Sequence, residues 1–172
     1  MRPAAEMAGE LTALEPPRFE HRKPLLIAGL RRHIGADGQS DIPLLWREFL
    51  QRRTALTGVV GLTAYGVVIH SAHGAGGVEY LAAVEVASLA GLPTGFDGMS
   101  IPAHQYAIFP HPGDVSTLKH TMMAIWNRWL PTSGRVLAHP DPGSPDMMEY
   151  YGEDFDPETG SGSIEVWLPI KG

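Results

Sequence analysis

Hydrophobic and polar positions follow two alternating periods along this chain. From Pro17 the residues alternate and then run apolar through Leu25, Leu26, Ile27 and Ala28, which predicts a first strand ending before the Gly35 to Gly38 region. After Ser40 or Asp41 the period lengthens. Ile42, Leu45, Trp46, Phe49 and Leu50 share one helical face and Pro43 suits a first turn, so a helix is predicted over about residues 41–56 with Trp46 and Phe49 in its core. Beyond Gly58 and Gly61, the runs Ala64 to Ser71 and Val78 to Val86 read as two strands, joined as a hairpin through Gly74, Gly76 and Gly77.

The second half repeats this order. A strand from about Met99 to Phe109 leads to a helix capped by Asp114 or Ser116, with the stripe Val115, Leu118, Met122, Ile125 and Trp129 and a stop at Pro131 and Gly134. A run from about Val136 continues irregularly to Tyr151, and another spans Ser163 to Ile170 after an acidic turn. The helices begin about 73 residues apart, at Asp41 and Asp114, which points to an internal duplication. The prediction is an α+β fold in which two β-α-β-β units join edge to edge in one antiparallel, pseudo-twofold sheet. Both helices cover one face, and a central ligand cleft lies on the opposite, concave face where the halves meet. Residues 1–16 read as a loosely packed arm, and 17–172 as one domain with halves of about 17–90 and 98–172.

Composition narrows the chemistry. The 172 residues are 44% hydrophobic and 19% charged, no run approaches the length of a membrane span, and no leader pattern opens the chain, so a soluble cytoplasmic protein is expected. Thirteen Lys and Arg against nineteen Asp and Glu give a net charge of −6, which disfavours nucleic acid as a direct partner. With no cysteine, and with His70 and His73 the one close pair among eight histidines and on opposite strand faces, no metal site is expected. No phosphate loop, serine elbow or dinucleotide fingerprint is present, so no cofactor is expected either.

The distinctive chemistry lies in the last strands. In residues 164–170, Ile164, Val166, Leu168 and Ile170 face one way while Glu165 and Trp167 face the other, an acidic and aromatic surface suited to a flat hydrophobic cation. Glu149 and Tyr151 repeat the pattern one strand earlier, so two carboxylates and two aromatic rings are placed to converge on one cavity. Tyr106, Tyr65 and Tyr80 are candidates for the same walls, and Trp126 lies beside its helix stripe, free to look toward the sheet. Alternation alone leaves a second assignment open, in which the glutamates are exposed edge residues and Trp167 and Tyr151 cap the core.

Several segments in order resemble a known family. Tyr106-Ala-Ile-Phe-Pro-His-Pro-Gly113, Ile125-Trp-Asn-Arg-Trp-Leu-Pro-Thr-Ser-Gly134, Met148-Glu-Tyr-Tyr-Gly-Glu-Asp-Phe-Asp-Pro157 and Ile164-Glu-Val-Trp-Leu-Pro-Ile170, with Glu79-Tyr-Leu-Ala-Ala-Val-Glu-Val86, resemble the GyrI-like small-molecule-binding domain, which is also the effector-binding domain of AraC-type and MerR-type multidrug regulators. The resemblance implies a duplicated, SHS2-type fold whose acidic aromatic cleft receives lipophilic cations. It carries over Glu149 with Tyr151, Glu165 with Trp167, Trp126 and Tyr106. The function it implies is a stand-alone multidrug-type binding protein. Two alternatives share those residue types: a hydrolase that opens the cyclopropane of DNA-alkylating compounds, with Glu149 orienting water and Tyr151 donating a hydrogen bond, and a ligand-responsive partner of a transcription regulator or of gyrase.

Overall fold

In the computed structural model the described residues are 14–35, 41–70, 77–138 and 145–171. The N-terminal arm through residue 13, the centre of the Gly74–Gly76 connection and His73 lie outside them. Eight strands alternate with two helices. In chain order they are β1 (Arg18–Arg22), β2 (Leu25–Ile34), α1 (Asp41–Arg52), β3 (Ala64–His70), β4 (Val78–Glu85), β5 (Asp97–Ile101) and β6 (His104–Pro110), then α2, β7 (Pro145–Tyr151) and β8 (Ile164–Ile170). Helix α2 is composite: Leu118–Ala124 is α-helical, Ile125–Trp129 is a π-helical turn, and Leu130–Ser133 closes it before Gly134 in the left-handed region.

All pairings are antiparallel, in the order β1-β6-β8-β7-β3-β4-β2-β5. The two runs read as single strands, around residues 17–28 and 99–109, each break in two, because Pro24 and Pro102 have no N–H for a ladder. Each short leading strand then pairs across the molecule: β1 with β6, and β5 with β2. Only Lys23 and Pro24 join β1 to β2, although these strands stand near opposite ends of the order. Such a link reaches roughly 10 Å, so the sheet must curl until its ends approach each other, forming a half-barrel.

The curl separates an inner face from a helix face. Inner-face side chains from β2 through β8 form one cluster, which includes Ile27, Val67, Leu81, Ile108, Met148 and Trp167. The helix face divides into two cores. Leu45 and Phe49 of α1, one turn apart, pack on Leu30, Tyr80, Ala82 and Val84. Leu118 and Ile125 of α2 pack on Phe109, Ile164, Val166 and Leu168. The concave face expected to hold a groove is therefore filled with packed side chains. Among the described residues no helix is long and apolar enough to cross a membrane.

Candidate functional site

The two helical cores meet over β3 and β7, at the centre of the strand order. Trp46, Ala64 and Val68 contact both. Glu149, in the middle of β7, faces this junction and is 6% exposed. Gly66 stands opposite it on β3, and Tyr80 comes from β4 on the far side of β3. A Cβ at Gly66 would collide with both the Tyr80 hydroxyl and Glu149 Oε1, so the glycine is what lets a side chain from β4 reach one from β7 across the intervening strand.

The resulting contacts form a relay. The Trp46 indole N–H donates to the Tyr80 hydroxyl at 2.9 Å, and Tyr80 donates to Glu149 Oε1 at 2.5 Å. Tyr151 donates to the same Oε1 at 2.8 Å. Oε2 receives no hydrogen bond from any described residue. No ion pair neutralises Glu149 among the described residues. Burial raises its pKa above the ordinary carboxylate value, and the two hydroxyls pull it partway back. Both tyrosines are in turn held well above their usual range by burial and by the adjacent carboxylate.

Aromatic and thioether groups wall the junction. Trp46 meets Tyr151 edge-on at 5.5 Å, and Phe155 lies 4.6 Å from Tyr151. Trp126, on the π-helical turn, is half-buried and directs its N–H at the Met147 sulfur at 3.4 Å. Its neighbour Ile125 is buried in the same core that Trp126 packs against. The arrangement is a junction between two helices with a desolvated carboxylate at its floor and ring faces around it.

Of the predicted site residues, this junction gathers Glu149, Tyr151, Tyr80 and Trp126. Glu165, Trp167, Tyr106 and Tyr65 lie on the inner face. Although β7 and β8 are neighbours, their register sets Glu149 against Val166 and Tyr150 against Glu165, so the two glutamates point to opposite sides of the sheet. The expectation of one shared cavity is corrected accordingly. On the inner face Glu165 accepts from the Trp167 indole at 3.0 Å and pairs with Arg18 at 2.9 Å. Tyr106 is pushed up to about 12 by burial, and burial raises Tyr65 further. A surface cavity of about 400 Å³ at the ends of β6 and β8 carries His111, Asp154 and Glu165 but none of the Glu149 relay. His111 there is committed to structure: one ring nitrogen lies 2.6 Å from the Thr121 hydroxyl and the other donates to the Asp114 carbonyl at 2.6 Å, fixing the start of α2.

Two residues of the junction lie beyond the site residues that the sequence points to: the helical spacing of Trp46 suits a core position, and Gly66 sits inside a strand run, where an interior glycine signals a close approach.

Comparison with known proteins agrees with this architecture. The transcriptional regulator BrlR of Pseudomonas aeruginosa is 25% identical over 155 residues, covering 89% of this chain, and the chain spans about half (54%) of that relative's length. The structure of SAV2435 bound to tetraphenylphosphonium superposes with a TM-score of 0.70 at 18% identity, covering 92% of this chain and 95% of that one. The EcmrR C-terminal domain superposes with a TM-score of 0.67 at 13% identity, covering 92% and 98%. Residues 15–171 match the family described as the GyrI-like small molecule binding domain, and the chain belongs to that family.

Proposed function

We propose that this domain binds lipophilic cations in the junction between its two helices, with Glu149 as counter-ion. The observation that carries the reading is a buried carboxylate that has hydrogen bonds on one oxygen and no cation among the described residues. Burying a charge without a partner is costly, so such a group either has a binding role or is replaced by something neutral. Tyr80 and Tyr151 orient the carboxylate through Oε1 and leave Oε2 for a ligand. Trp46, Tyr151 and Trp126 supply ring faces, each worth about 0.5–2 kcal/mol to a desolvated cation. The binding of tetraphenylphosphonium by SAV2435, a protein of the same fold, supports this ligand class.

Because burial raises the Glu149 pKa, an arriving cation favours the ionised form and draws the pKa down again. The test is calorimetric titration of wild type and Glu149→Gln with tetraphenylphosphonium and with neutral triphenylphosphine oxide. The substitution is expected to cost the cation about 2 kcal/mol or more, roughly 30-fold in affinity, while the oxide changes little. Equal losses for both compounds would refute the counter-ion role.

A further inference from the structure

The inner face holds an aromatic cage that already contains a planar cation, and that cation belongs to the protein. Trp167, 3% exposed, stacks on Tyr150 with centroids 5.0 Å apart and planes at 19°, and it meets the rings of Tyr106 at 5.5 Å and Tyr65 at 5.8 Å. The guanidinium carbon of Arg22 lies over the Trp167 ring, 4.7 Å from its centroid. Glu165, bonded to the indole N–H and paired with Arg18, lies beside the cage.

We propose that this cage is a second binding site, for small guanidinium-type cations, and that Arg22 occupies it as an internal ligand. Three observations argue that Arg22 is a replaceable occupant rather than a fixed part of the wall. It is the last residue of a five-residue edge strand that pairs with β6 alone. Its side chain is 42% exposed, although it reaches a ring that is nearly sealed. Its Nε is buried with no hydrogen-bond acceptor among the described residues, where the head group meets the Trp167 ring and approaches Glu20 no nearer than 3.8 Å, without a fork of hydrogen bonds. The rings, by contrast, contact one another, so the cage keeps its walls when Arg22 leaves. A planar cation fits where a tetrahedral ammonium does not, because a flat head stacks on the indole over its whole area.

This site is separate from the Glu149 junction, so the test uses the full chain carrying Glu149→Gln, where loss of binding at the junction cannot be mistaken for loss here. Arg22→Ala leaves space for ethylguanidinium, which restores the missing stem and head. In that background ethylguanidinium is expected to raise the melting temperature saturably and to change tryptophan fluorescence. The expected affinity is roughly tenfold or more above that for the chain retaining Arg22, since the internal ligand no longer competes. Ethylammonium is expected to give no comparable effect, and adding Trp167→Leu to abolish the response. The proposal is overturned by absence of saturable binding, by an undiminished response in the Trp167→Leu variant, or by equal affinity with and without Arg22. If Arg22→Ala does not fold alone, folding on addition of ethylguanidinium is the expected rescue, and failure to fold at any concentration of it also overturns the proposal.

Discussion

Glu149 with Tyr151 and Glu165 with Trp167 are the same motif on paper, an acidic residue and an aromatic ring two positions apart on adjacent strands, and the fold gives them opposite conditions. Glu165 sits 18% exposed by side chain, bonded to an indole and paired with Arg18. Glu149 is buried under two tyrosine hydroxyls with no cation of its own among the described residues. On the inner face the protein supplies its own cations, Arg18 to the carboxylate and Arg22 to the ring. On the helix face no described cation pairs with Glu149, and that difference in charge balance is the ground for proposing Glu149, rather than Glu165, as the counter-ion. Residue type and spacing describe the same motif twice; only the charge balance differs between the two faces.

The comparison can be broken most severely at Gly66. Gly66→Ala places a methyl group where Tyr80 and Glu149 meet, and the forced displacement is expected to cost about 1–3 kcal/mol of stability in denaturant unfolding and to abolish cation binding. Wild-type behaviour in both assays would contradict the contact across β3. Smaller effects are expected from Tyr80→Phe and Tyr151→Phe, each removing one donor to Oε1. Both hydroxyls lower the Glu149 pKa, so either change should raise it further and move the pH midpoint of tetraphenylphosphonium binding upward. An unmoved midpoint in both variants would show that the hydroxyls do not hold the charge.

The smallest effect concerns stability itself. Glu149 has a folded pKa raised above its unfolded value of about 4.5, so the folded state holds its proton more tightly. Its contribution is therefore most favourable at low pH and becomes unfavourable as pH rises through the folded pKa. Glu149→Gln is expected to melt higher than wild type at pH 8, by a few degrees at about 1 kcal/mol, and to lose that advantage toward pH 4. A melting temperature lower at pH 8 than wild type would place a hidden counter-charge beside Glu149.

Much of the fold was legible because helices and strands announced themselves by period; the first helix begins at Asp41 as its pattern predicts, while Asp114 caps the 3-10 turn Val115–Thr117 and α2 proper begins at Leu118. The two short leading strands were not legible, since Pro24 and Pro102 divide apolar runs that otherwise read through. For the site, β8 declared its faces: four aliphatic residues alternate with Glu165 and Trp167. Strand β7 did not, because Met147 and Met148, and Tyr150 and Tyr151, put matching residues on both faces, leaving its register against β8 unreadable. That ambiguity made one cage of two. Trp46 was hidden by a similar rule, since its helical position suits either a core or a cleft, and only the contact with Tyr80 tells them apart.

The most direct test of the central claim is a ¹³C NMR titration of the glutamate carboxyls, free and saturated with tetraphenylphosphonium. The account predicts that Glu149 titrates above 4.5 in the free protein and shifts down on binding, while Glu165 stays where it was. A Glu149 resonance that ignores the ligand, or a Glu165 resonance that responds in its place, would contradict it.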